Sequence, residues 1–315
     1  MRALSLLCNV LVLFALACAP AVYAAELTAE KTDQGVSIKI DGQPFANYVA
    51  KGAFKPYVWP IYGPTQKKMT RDFPMIEHVP GESKDHPHQR SMWFTHGDVN
   101  GVDFWAETPK SGKIVQRELA RVAGGHEAVV VTREDWLGPD GKKVCTDDRT
   151  MTFGGDKGQR WIDFSISIHA SEGPVAFGDT KEGSFGLRVA DSMTVDAKHG
   201  GQIVSSEGKT DAAAWAQPAA WVDYHGPIDG ETLGIAILNH PSSFRFPTFW
   251  HVRTYGLFAA NPFGKKDFKT TKQGAYDLPQ GESVFFRYRV IFHQGDQRAA
   301  KIAEAFAEYS KEQKN

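Results

Sequence analysis

Histidine is spread unevenly along the 315-residue chain, and four of the eleven lie between His78 and Trp105. Asp85-His86-Pro87-His88-Gln89-Arg90 and the stretch from His96 to Trp105 crowd titratable and aromatic side chains together without strand alternation. Such a segment is costly to build as core and reads as a site loop carried on a scaffold. His86 and His88 are two apart, so in an extended chain both rings point to one side. That spacing could give two nitrogens to one metal, with His96, Asp85 or Asp103 as a third donor. Without a metal the same histidines suit proton transfer, because imidazole titrates near neutral pH, and Glu182 offers the carboxylate half of an acid–base pair. A second cluster holds His240 and the run Trp250-His251-Val252-Arg253-Thr254-Tyr255. His86, His88, His96, Glu182, His240 and His251 are therefore the candidate catalytic groups. Arg90 and Arg188 could hold a substrate carboxylate or a developing oxyanion. Trp93, Trp105 and Trp250 could stack on the apolar face of a pyranose, with Asn100, Asp103, Arg253 and Tyr255 completing the binding set. His126, His169, His199, His225 and His293 lack such neighbours and read as structural.

Other chemistries find no footing. The chain has no Gly-x-Ser-x-Gly elbow, no phosphate-cradling Gly-rich loop ending in Lys-Ser/Thr, and no strand–GxGxxG–helix unit. Lys and Arg total 36 against 37 Asp and Glu, a balance without the basic surplus of a nucleic-acid binder. Aromatic residues make up 12% of the chain, which suits a strand-rich protein that holds flat or ring-shaped ligands.

The elements that must position these groups read as strands. Val36, Ile38 and Ile40 alternate with polar residues, as do Ile162, Phe164, Ile166 and Ile168, and again Val284 to Phe292. This period of two predicts half-buried antiparallel strands, with hairpin turns at Asp41-Gly42 and Asp140-Gly141. One segment, Asp296 to about Lys314, has helical spacing and an N-capping Asp296, and is expected to cap a sheet edge. The expected fold is all-β: a large antiparallel β-sandwich of a dozen or more strands with a C-terminal α-helix. Ahead of it, Met1-Arg2, the apolar run Ala3–Ala19 and the small-residue site Val22-Tyr23-Ala24 predict a signal peptide over residues 1–24. Residues 25–315 would then form one domain, periplasmic or secreted, with no membrane span. A lipidated Cys18 is disfavoured by Ala15, where a lipobox prefers Leu. Cys145 alone would remain after cleavage, a packed or half-exposed residue in a strand, with no partner for an internal disulfide.

Several pieces resemble a bacterial family of exported proteins of unknown function often labelled PmoA, or methane oxygenase. They are Lys55–Pro64, Asp85–Arg90, His96–Trp105, Glu182-Gly183 with Phe185–Ala190, and Trp250–Arg253 with Asn261–Gly264. The resemblance spans nearly all of the chain after its leader. The oxygenase label is not carried over, because particulate methane monooxygenase is an integral membrane complex and this chain has no later apolar segment of membrane length. More loosely, the architecture is similar to galactose-mutarotase-like sandwiches, which host aldose epimerases, lyases and glycosidases with His and a carboxylate on a concave face. The resulting expectation is an exported carbohydrate-active enzyme, a hydrolase, lyase or epimerase using His/Glu acid–base chemistry. The rival readings are a non-catalytic carbohydrate-binding protein and a metal-dependent enzyme centred on His86 and His88. No cofactor is expected beyond a possible divalent metal. The expected partner is a carbohydrate or other small molecule, not nucleic acid, and the oligomeric state is left open.

Overall fold

The computed structural model describes residues 25–156, 158–270 and 274–313; the expected leader, with Cys8 and Cys18, lies outside them. The alternating segments are strands, as their period dictates. In chain order they begin with β1 (Leu27–Lys31), β2 (Gly35–Ile40), β3 (Gln43–Val49), β4 (Tyr57–Ile61), β5 (Met92–His96) and β6 (Lys113–Ala123). Next come β7 (Ala128–Leu137), β8 (Lys143–Gly155), β9 (Gln159–His169), β10 (Val175–Phe177), β11 (Gly183–Arg188) and β12 (Gln202–Ser205). The series ends with β13 (Trp221–Ile228), β14 (Glu231–Asn239), β15 (Phe249–Val252), β16 (Leu257–Asn261), β17 (Tyr276–Leu278) and β18 (Ser283–Gln294), followed by α1 (Ile302–Tyr309).

Two eight-stranded sheets result. The first runs β1-β2-β3-β4-β5-β11-β16-β15 and the second β12-β13-β14-β18-β9-β8-β7-β6, while β10 and β17 pair separately. Every ladder is antiparallel. The inner faces meet in one apolar layer, where Phe185 of the first sheet stacks on Tyr288 of the second at 4.7 Å and 4°. Burying each such ring is worth roughly 1.5–3 kcal/mol. Asp41 and Gly42 both take positive φ, 48° and 75°, the conformation a two-residue hairpin turn requires. Cys145 is buried in β8, and burial pushes its thiol pKa well up.

The helix departs from expectation. Asp296 Oδ1 accepts from the N–H groups of Arg298 and Ala299, but Lys301 takes φ +54 and breaks the run, so α1 starts only at Ile302. Ile302 and Tyr309 are buried against Trp221, Leu238 and Ile291, so α1 lies on the outer face of the second sheet and not at a sheet edge. No helix among the described residues is long and apolar enough to cross a membrane.

The site is positioned by the insertion of β11 between β5 and β16, far apart in sequence. This gathers on one sheet face the β4–β5 connection, the β5–β6 connection, the segment entering β11 and the β15–β16 turn.

Candidate functional site

Alternation along β5 and β11 sends Phe94, Phe185 and Leu187 into the core and leaves Trp93, Gly186 and Arg188 on the outer face. Gly186 is needed there: a Cβ would sit 2.6 Å from the Trp93 ring. Trp93 and Trp105 meet edge to face at 5.3 Å and, with Leu257, Ala259, Tyr57 and Tyr255, floor a small apolar patch outside the main core. The two indoles are only 2% and 3% exposed, so they form a floor and not the open stacking platforms expected from the sequence.

Over this floor stands an Asp–His pair. Two buried guanidinium groups hold Asp85: Arg188 Nη2 donates to its Oδ1 at 2.9 Å, and Arg71 Nη1 donates to the same oxygen. Burial alone would raise the carboxyl pKa, but the charge of Arg188, the His86 hydrogen bond and Arg71 hold it well below the usual carboxylate range. Asp85 Oδ2 lies 2.8 Å from His86 Nδ1. An ionised carboxylate there accepts a hydrogen bond from Nδ1–H, which leaves the lone pair on Nε2, the arrangement of an oriented general base. His86 stacks on Tyr255 at 5.1 Å and 4°, while the Arg188 guanidinium lies 4.8 Å from the Tyr255 ring centroid. His86 takes φ +46, where few non-glycine residues sit, and Arg71 Nη2 donates to its carbonyl at 3.2 Å. Gly256, at φ +109, leaves room for Arg188: a Cβ would lie 3.2 Å from its Nε.

The His-Pro-His segment is not extended, as the shared-side argument required. Gln89 N–H donates to the His86 carbonyl, closing a turn, and the two rings meet edge-on at 5.8 Å. His88 lies 6.2 Å from Trp105, and burial, with the charges of Lys55 and His86, lowers its pKa to about 4. Among the described residues no group of three or more His, Cys, Asp and Glu is arranged to hold a metal ion.

Glu182 enters from the other side. Burial raises its pKa, the nearby charges of Lys181 and His86 lower it, and Asp103 adds a further upward push. The Glu182 carbonyl accepts from Gly97 N–H at 2.6 Å, and Asn261 Nδ2 donates to the carbonyls of Thr180 and Lys181. His251 Nδ1 meets the Lys181 carbonyl at 2.9 Å, and burial takes its pKa down to about 3. His251 thus ties down the strand entry that carries Glu182. Asp103 uses Oδ1 to accept from Trp105 and Ala106 N–H, which shapes the loop bearing Trp105. Arg253 flanks the patch, 5.8 Å from the Tyr255 ring.

Other expected groups lie elsewhere or are occupied. His96 points into the sandwich interior, against Phe263 at 4.8 Å, with Nε2 2.8 Å from the Gly178 carbonyl; burial lowers its pKa to about 4. His240 sits beside α1, edge-on to Tyr309 at 5.0 Å. Trp250 is a core residue whose Nε1 donates to the Ala219 carbonyl. Asn100 fastens a turn to Pro174 and Ala176. Arg90 is spent on a bidentate pair with Glu107, which also takes Lys55 at 2.8 Å. Arg188 is spent on Asp85, Gln89 and Ser83. Both arginines thus hold protein carboxylates in this structure. His225 and His293, read as having no functional neighbours, both bind the buried Asp223, at 2.6 and 2.7 Å. Asp85 as an orienter was legible in the Asp85-His86 adjacency; nothing local marks Arg71 or Gln89.

A groove of about 510 Å³ borders the pair, lined by Glu82, Ser83, Asp85, Arg188, Asp191 and Tyr255 among others. That volume suits a small ligand, and its polar groups are carboxylates, hydroxyls, a phenol and the Arg188 guanidinium.

The chain belongs to a family described as "Family of unknown function (DUF6807)", whose model matches residues 35–307. No curated protein matches it. Among solved structures it is similar to a beta-arabinopyranosidase, with 12% identity and a TM-score of 0.32 over 87% of this chain. The chain spans 39% of that protein's length. It is also similar to a proposed aldose 1-epimerase of Escherichia coli K12, with 9% identity and a TM-score of 0.32, over 86% of this chain and 100% of the other. Likeness at this level carries no argument about the reaction.

Proposed function

We propose that this member of the family is an acid–base enzyme acting on carbohydrate at the outer face of the first sheet, by hydrolysis, elimination or epimerisation. His86 is the base and Glu182 the acid. The observation that supports this best is the Asp85–His86 pair, locked by two buried arginines, with the half-buried Glu182 carboxyl near enough to feel the His86 charge. The adjoining groove sets carboxylates and hydroxyls beside the Tyr255 ring, a mix of polar groups and apolar surface that a sugar ring can use. The test is a product screen over aryl glycosides and neutral oligosaccharides with the wild type, His86→Ala and Glu182→Gln. Each variant is expected to lose at least about 100-fold in turnover, with little change in melting temperature. Full turnover in both would overturn the assignment, and saturable binding without product would favour the non-catalytic reading. We also propose export with removal of residues 1–24; N-terminal sequencing of protein recovered from the cell envelope should start at Ala25.

A further inference from the structure

The opposite side of the sandwich carries a groove of about 460 Å³ that this chemistry does not use. It lies on the outer face of the second sheet, over β8, β9 and β18. Register places Thr150 opposite Ser165 and Asp148 opposite Ser167, while Ser165 faces Arg287 and Asp163 faces Arg289. The alternation explains the hollow. Ile162, Phe164, Ile166 and Ile168 fill the core, so Ser165 and Ser167 meet water, with Thr150 and Thr152 beside them. Long side chains usually cover such a surface; here four short hydroxyl residues leave a sunken floor. None of the four hydroxyls has a hydrogen-bond partner among the described residues.

The walls are firm. Arg289 forks onto Asp163 at 2.6 and 2.8 Å and reaches Glu312 at 3.0 Å, while Arg287 binds the other Glu312 oxygen at 2.6 Å. Half-buried Phe285 lies beside Ser167 and offers an apolar edge. The two arginines are balanced by these carboxylates, Asp148 is paired with Arg133 at 3.4 Å, and Glu127 adds a negative charge, so the groove does not select an anion. Its hydroxyl floor does not select an apolar ligand. Free hydroxyls and arginine–carboxylate pairs both give and accept hydrogen bonds, which is what a neutral sugar requires.

We propose that this groove binds neutral glycan, as a site separate from the acid–base centre and independent of the reaction proposed there. Native gels cast with arabinoxylan, mixed-linkage β-glucan or galactomannan test it, with dextran sulfate as the anionic control. The wild type should be retarded by at least one neutral polysaccharide. The combined variant Thr150→Val, Thr152→Val, Ser165→Ala, Ser167→Ala should weaken that retention at least tenfold, whereas His86→Ala and Glu182→Gln should retain it. If the combined variant does not fold, Thr150→Val and Ser165→Ala alone should each weaken retention several-fold. Four results would overturn the proposal: no retardation by any neutral polysaccharide, retardation by dextran sulfate alone, retention unchanged in the groove variants, or retention lost only in the His86 and Glu182 variants.

Discussion

At the scale of single residues, the chemistry rests on where charge is held. Asp85 does two jobs, orienting His86 and neutralising Arg71 and Arg188, and these separate by experiment. His86→Ala removes the base and leaves the ion cluster intact. Asp85→Asn removes the orienter and also leaves two buried guanidinium groups short of a counter-charge. Both should lose turnover, but only Asp85→Asn should lower the melting temperature markedly; equal melting temperatures would show that Asp85 does not hold the cluster. Glu134 makes a second prediction. It is fully buried, takes hydrogen bonds from Tyr48 and Thr132 on one oxygen, and leaves the other without a partner. Burial raises its pKa despite the charge of Arg149. A carboxyl raised in the folded state binds its proton more tightly than in the unfolded chain. It therefore stabilises fully below about pH 4.3 and loses that contribution as pH rises through its folded value. Glu134→Gln should flatten this fall in melting temperature between the weakly acidic and neutral range. A pH dependence identical to wild type would count against the buried carboxyl as its source.

At the scale of elements, the site depends on close backbone approaches. Gly97 at the end of β5 faces the entry to β11, and a Cβ there would lie 2.8 Å from Glu182 Cβ and 2.9 Å from its carbonyl oxygen. Gly97→Ala should therefore displace Glu182 and cut turnover while costing about 1–3 kcal/mol of stability. A variant as active as wild type would mean that the position of Glu182 is not critical. The segment before β11 was recognisable as a Glu-Gly pair in sequence, yet the role of His251 in tying it down was not. Hydrogen bonding between an imidazole on β15 and the Lys181 carbonyl joins elements that no local pattern connects. The same holds for α1, where its apolar spacing was readable but its start was not. Lys301 adopts a left-handed conformation that composition does not announce. Tyr309 is fully buried against the second sheet, so Tyr309→Ala should cost about 3–5 kcal/mol, read as a lower unfolding midpoint in denaturant.

At the scale of the whole molecule, two sheets share one apolar interior, and we expect one cooperative thermal transition from the described region. Two resolved transitions in calorimetry would argue instead for separate domains. The all-β class, the alternating strands and the hairpin at Asp41-Gly42 were all legible in the amino-acid order alone. Each of these comes from local periodicity or local turn chemistry, which a short window of residues already contains. Which histidines meet was a matter for the folded chain. His86 and His88 share one sheet face with Glu182, whereas His96 turns inward and His240 lies by the helix. The reason is physical: one step along a strand moves a side chain to the other face. Which strand neighbours which is set by long-range pairing of β5 with β11 and of β11 with β16, and a linear chain does not display that pairing.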